Sequence, residues 1–149
     1  MASEMIYLKG KANWAKLFPH YKDKNEDFHG PGGAYTVDLI VEQEELEKYT
    51  STGGRVRPRV TDEGVVLKLK RKHTHHIEDF GGTPQVVDKD GNDWDGTMLG
   101  NGTEVEAAIT VYDSKTGKGT RLEGVRVLDL VEMPPMEDAE GGGAKRLPF

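Results

Sequence analysis

VVLKLKRK, residues 65–72, is the stretch whose reading decides the fold. Apolar and basic side chains alternate along it. In an extended chain, successive side chains point to opposite faces. Val65, Leu67 and Leu69 therefore share one side, and Val66, Lys68, Lys70 and Lys72 share the other. The segment is expected to be a strand with a core-facing row set back to back against a row of lysines.

Working outward, residues 55–60 (RVRPRV) alternate in the same way, so Arg55, Arg57 and Arg59 face one direction if extended. Pro58 has no N–H to give a ladder, which puts this segment at an edge or outside regular pairing. Residues 42–49 (EQEELEKY) hold good helix formers without glycine or proline, and predict a short helix burying Leu46 and Tyr49. Residues 34–41 (AYTVDLIV) are β-branched and aromatic and predict a strand. Residues 13–33 read as a long connection. It carries Trp14, Phe18, Tyr21 and Phe28 among Lys16, His20, Lys22 and Lys24, and closes on the turn residues 30–33 (GPGG). Residues 5–12 form a first strand.

Toward the C-terminus, residues 83–87 read as a short strand and 88–96 (DKDGNDWDG) as a polar turn. Residues 99–102 (LGNG) turn into a strand over 103–112. Residues 116–119 make a hairpin loop, and 121–133 a closing strand with apolar residues on both faces. About five strands and one short helix, without a βαβ rhythm, predict an all-β barrel or sandwich. Pro134-Pro135 ends the pattern. Residues 1–133 are expected to form one domain, and 134–149 a flexible tail ending in Lys145-Arg146-Leu147-Pro148-Phe149.

The chain of 149 residues suits one domain with its own core. Its 19 glycines, spread throughout, fit short strands and tight turns. The absence of cysteine excludes a disulfide framework, a thiolate zinc site and a thiol nucleophile, and fits a reducing cytoplasm. No stretch reads as a signal peptide or a membrane span, so the expected location is the cytoplasm. The net charge of −6 argues against a nucleic-acid partner, but its distribution argues the other way. Residues 54–72 hold seven basic side chains (Arg55, Arg57, Arg59, Lys68, Lys70, Arg71, Lys72) against Asp62 and Glu63, a local +5. A basic band inside an acidic protein still attracts a phosphate backbone, while the acidic remainder keeps binding reversible.

With these segments in place, the sequence resembles the OB-fold single-stranded DNA-binding proteins of tailed phages, which serve replication and recombination. The resemblance runs through KGKANWAKLF (9–18), GGAYTVDLIV (32–41) with its acidic short helix, VVLKLKRK (65–72), LGNGTEVEAAITVYD (99–113) and GVRVLDLVEM (124–133). It implies a five-stranded OB barrel with a long first connection, a short helix between the second and third strands, and a flexible C-terminal tail. It also implies sequence-independent binding and protection of single-stranded DNA in the host cytoplasm, no enzymatic activity and no cofactor. The Pro148-Phe149 tip is similar to the tail tip of the bacterial counterparts and implies recruitment of replication, recombination or repair proteins. Glu137, Asp138 and Glu140 are few, and Lys145 and Arg146 adjoin the tip, which argues against tight closure of the groove by the tail. An oligomer is compatible with all of this.

Single strands are held by a positive groove and by aromatic faces on which bases stack. Lys68, Lys70 and Lys72 supply one basic row, and Arg55, Arg57 and Arg59 a second. A solvated strand face explains a lone lysine row equally well; two adjacent rows together with the family pattern favour binding. Aromatic residues more often pack a core than offer a platform. Trp14 and Trp94 stand apart because their surroundings are polar, and Trp14 leads, with Phe18 and Tyr21 behind it. Lys16 lies in the same stretch. Tyr35 and Tyr112, inside strands, are expected to pack the barrel, and Phe80 is a further aromatic candidate. His73, His75 and His76 suggest zinc or nickel, but no carboxylate is spaced to complete a site, and no metal is expected. Residues 88–93 imitate half a calcium loop without its glutamate or flanking helices and read as a turn. Neither glycine-rich turn carries a nucleotide motif. The alternatives are a small β-barrel structural or adaptor protein of a virion, and, less favoured, a metal-dependent nuclease using the histidines.

Overall fold

In the computed structural model, which describes residues 3–19, 21–75, 81–115 and 117–132, the alternating segment is a strand. This strand, β4 (Gly64–Lys72), has Leu67 and Leu69 fully buried and Lys68 and Lys72 exposed. Val66, on the lysine side, is buried as well, because Ile40 and Arg59 flank it on the neighbouring strands. Around β4 lie β1 (Ser3–Lys16), β2 (Ala34–Val41), β3 (Arg59–Thr61), β5 (Gln85–Val87), β6 (Thr103–Ser114) and β7 (Gly117–Asp129), with two short helices, α1 (Glu26–His29) and α2 (Gln43–Thr50).

These strands form one sheet in the order β3-β4-β2-β1-β6-β7-β5. Neighbours are antiparallel except β5, which runs parallel to β7. The sheet curls around Leu8, Val37, Leu39, Leu67, Leu69, Val105, Ile109 and Leu122, each at most 1% exposed. Every such side chain contributes about 1.5–3 kcal/mol over its exposed state. On α2, Tyr49 is wholly buried and Leu46 packs against the core, as the sequence predicts.

Where the sequence reading has about five strands and one short helix, the described residues form seven strands and two helices. The additional elements are small. β3 has three residues and α1 four, too short for periodicity to show, while β5, also of three, lies inside the short strand read over 83–87. β1 extends four residues beyond the predicted end because Asn13 and Lys16 still pair with Asp38 and Thr36 of β2 after the pairing with β6 ends at Ala12. Of the segment 55–60, only Arg59 and Val60 enter a strand, and residues 55–58 are irregular.

The hydrogen-bonded ladder is not closed: β4 and β7 approach each other without pairing. Arg71 spans this seam. Its guanidinium donates to Gly82 O (3.0 Å), Gly81 O (2.9 Å), Leu122 O (3.3 Å) and Glu123 Oε1 (2.8 Å). Glu123 also accepts from Thr110 Oγ1 (2.7 Å) and Arg121 Nε (2.9 Å). Arg71 is 8% exposed, so the basic band read from the sequence loses one member to the interior. Among the described residues no helix is long and apolar enough to cross a membrane. Phe80, His20, His76 and the tail with Pro148 and Phe149 lie outside the described residues.

Candidate nucleic-acid interface

The lysine row of β4 continues across two more strands. Lys72, Lys70 and Lys68 stand opposite Ala34, Thr36 and Asp38 of β2. Thr36 and Asp38 stand opposite Lys16 and Asn13 of β1, and Ile40 opposite Lys11. At about 4.8 Å between neighbouring strands, Lys16 and Lys70 sit roughly 10 Å apart across Thr36. The result is a face with polar, buried floor residues (Asn13, Thr36, Asp38) and lysines along its sides. Asp38 Oδ2 accepts from Arg59 Nη2 at 3.2 Å, which draws Arg59 onto this face.

Lys70 is half-buried, and its ammonium lies 5.0 Å from the centroid of the Phe28 ring. Burial, then the repulsion of Lys72 and Lys68, hold its pKa below the ordinary lysine value, with Asp23 opposing. A cation held beside two others without full hydration favours an incoming anion.

Phe28 is 71% exposed on α1. Asn25 caps that turn, its Oδ1 accepting from Phe28 N at 3.2 Å. Buried His29 anchors it through Nε2 to Asp23 Oδ2 at 3.0 Å. The hydrogen bond from His29, then that from the Asn25 N–H, keeps the Asp23 carboxyl below its usual range. Asp23 is tied to β2 by paired backbone hydrogen bonds with Ala34, both 2.9 Å. Sequence reading placed Phe28 in the connection without singling it out. The feature that raised Trp14, an aromatic ring in polar company, applies equally to Glu26-Asp27-Phe28-His29.

On the β1 side of the face the register of β1 against β2 shifts between Asn13 and Lys16. Trp14 occupies this bulge with φ 52° and is 65% exposed. Bulges re-aim side chains in this way. A hollow of about 410 Å³ beside it is lined by Trp14, Ala15, Tyr21, Leu99, Asn101, Val131 and Glu132.

The structure thus brings together Trp14, Lys16, Tyr21, Arg59, Lys68, Lys70 and Lys72, and adds Phe28. Phe18 lies close in sequence but is buried, hydrogen-bonded through its backbone to Tyr21. Arg57 is exposed on the irregular loop, and the Arg55 guanidinium lies against Gly117 in the β6–β7 hairpin. Trp94 stands elsewhere. It hydrogen-bonds Val86 O through its backbone and Thr97 O through Nε1, half-buried against the core beside β5. Tyr35 is wholly buried, its hydroxyl 2.8 Å from His73 Nδ1, and Tyr112 packs under Arg121 at 5.2 Å. No cluster of metal-ligating side chains occurs among the described residues. Residues 88–92 form a turn in which Asp88 Oδ1 accepts from the N–H groups of Asp90 and Asn92 at 2.9 Å.

No family model matches the sequence, and no curated protein matches it by sequence. Solved structures do match the fold. One is gp2.5, a single-stranded DNA-binding protein encoded by bacteriophage T7, with TM-score 0.59 and 17% identity over 89% of this chain and 96% of that one. Another is the single-stranded DNA-binding protein of bacteriophage Enc34 in complex with single-stranded DNA, with TM-score 0.57 and 15% identity over 89% of each chain. A C-terminally truncated form of the Enc34 protein matches with TM-score 0.54 and 16% identity, over 86% of this chain and 87% of that one. At these identities the likeness is one of fold.

Proposed function

We propose that the protein binds single-stranded DNA passively and without sequence preference, on the face shared by β1, β2 and β4. The observation that carries this reading is the continuity of the face. Exposed rings flank it, Phe28 beside Lys70 of β4 and Trp14 in the bulge of β1, with lysines on both strands. The lysines take the phosphate backbone, and the rings stack bases at about 1–3 kcal/mol per base. The solved structures that share the fold include one bound to single-stranded DNA, which supports the same use here. In this reading β1, β2, β4, β6 and β7 are the five strands of an OB barrel. β3 and β5 are additions at its edges, and Arg71 fastens the β4–β7 seam.

The wider role follows from the same reading. The protein, of the kind tailed phages encode, would coat and protect single strands during replication or recombination in the host cytoplasm, without a catalytic step or a cofactor. The Pro148-Phe149 tip of the tail would recruit partner proteins. The test is polarisation of labelled oligo-dT, against a duplex of equal length, at low and then raised salt. The expected result is preferential binding of the single strand, weakening with log-log salt slope of about −0.7 per phosphate contacted. Equal affinity for duplex and single strand at low salt would rule the reading out.

A further inference from the structure

A tryptophan with φ 52° is uncommon, and such backbone persists only where its surroundings fix it. Around Trp14 those surroundings are specific. Its backbone N–H donates to Asn101 Oδ1 at 2.8 Å. Gly102 N, next to Asn101, donates to Ala12 O and to Asn13 Oδ1, both at 3.0 Å. Asn13 Nδ2 in turn donates to Glu63 Oε1 at 3.0 Å. The turn that grips Trp14 is itself seated: Gly100 N donates to Val131 O at 2.7 Å, and a Cβ on Gly100 would fall 2.6 Å from that oxygen. β1 and the chain beyond β7 therefore hold the turn between them, and the turn holds Trp14.

A ring placed only to fill a core would be buried; this one is 65% exposed above a hollow. Tyr21, Leu99 and Val131 give the hollow apolar walls, and Asn101 and Glu132 give it polar groups. That combination suits a flat π-surface with a hydrogen-bonding edge. We infer that Asn101 is a positioning residue, which fixes Trp14 in its left-handed conformation so that ring and hollow together seat one unpaired nucleobase. This rests on the reading of the face as a single-strand site. A ring fixed before DNA arrives loses little freedom on binding, so the grip of the turn is converted into affinity.

The experiment uses the full chain carrying Trp94→Phe, which leaves Trp14 as its one indole. Oligo-dT affinity is measured for this parent, for Trp14→Ala (read by labelled DNA), for Asn101→Ala and for the two combined. Emission anisotropy of Trp14 is measured without DNA in the parent, Asn101→Ala and Asn101→Asp, the last of which keeps the side-chain acceptor. Thermal unfolding confirms that each variant folds. Asn101→Ala is expected to weaken binding about 5- to 150-fold, close to the loss from Trp14→Ala. The combined variant should lose no more than the larger single loss. Trp14 anisotropy should fall in Asn101→Ala and hold in Asn101→Asp. Parent-like affinity in Asn101→Ala, or losses that multiply in the combined variant, overturns the inference. If Asn101→Ala does not fold, a loss of anisotropy in folded Asn101→Asp overturns it. If the parent binds no oligo-dT, the single-strand reading fails and the base seat with it, while the anisotropy contrast still decides whether Asn101 positions Trp14.

Discussion

Lys70, Arg71 and Lys72 are consecutive on one strand, yet they belong to two different regions of the molecule. Arg71 points inward at the seam between β4 and β7, where two loop carbonyls, a strand carbonyl and Glu123 accept its hydrogen bonds. Lys72 is exposed, and Lys70 lies over an aromatic ring. The pleat alone separates them. A buried cation with matched acceptors is part of the scaffold, and removing one partner of such a pair costs far more than the pair contributes. An exposed cation contributes little to stability and stays available to a ligand. Charge counted along the sequence does not distinguish the two, whereas charge sorted by strand face does.

The sharpest way to break this contrast is Arg71→Met, which takes the guanidinium from Glu123 Oε1 and from the carbonyls of Gly81, Gly82 and Leu122 at the seam. Loss of about 3–5 kcal/mol is expected in chemical denaturation; a loss under 1 kcal/mol would make Arg71 another surface cation. On the other region, Trp14→Ala should weaken oligo-dT binding by about 1–3 kcal/mol while stability moves by less than about 0.5 kcal/mol. The combination Lys68→Ala with Lys72→Ala should also leave stability within about 0.5 kcal/mol, and should flatten the salt dependence of binding by about 0.7 for each phosphate contact removed. An unfolding midpoint that drops sharply in this pair would place the lysines in the scaffold. The smallest effect concerns acid. The folded Asp23 carboxyl titrates below its ordinary value of 3.8. Its stabilising contribution is therefore complete above that value and is lost as pH falls through the lower folded value. Asp23→Asn should remove this part of the acid dependence, read as loss of α1 order below pH 4 in the parent alone.

Much of this was legible in the sequence because one rule, period-two alternation, acts locally. β2 has the predicted bounds, and β4 and α2 lie within a residue of theirs. The sidedness of Lys68 and Lys72 against Leu67 and Leu69 follows from the same rule. What escaped depends on partners distant in sequence. β1 runs on to Lys16 because Thr36 of β2 pairs with it there. Arg71 is interior because Glu123, 52 residues on, reaches it. The site divides likewise. Trp14 was legible as a ring in polar company, but its bulge depends on Asn101, 87 residues away. Phe18 and Trp94 bore the same aromatic signature, and tertiary packing directs them elsewhere. Phe28 joins the face only because the long connection folds back and pairs with β2 at Ala34.

The measurement that bears most directly on the central claim is competition between unlabelled single strand and duplex for a labelled oligo-dT bound to the full chain, run in parallel with the Lys68→Ala, Lys72→Ala variant. The account predicts that single strand competes far better than duplex, and that the variant, folded as stably as its parent, binds more weakly and with a shallower salt slope. Equal competition by duplex, or a variant that binds oligo-dT as tightly as its parent at every salt, would contradict it.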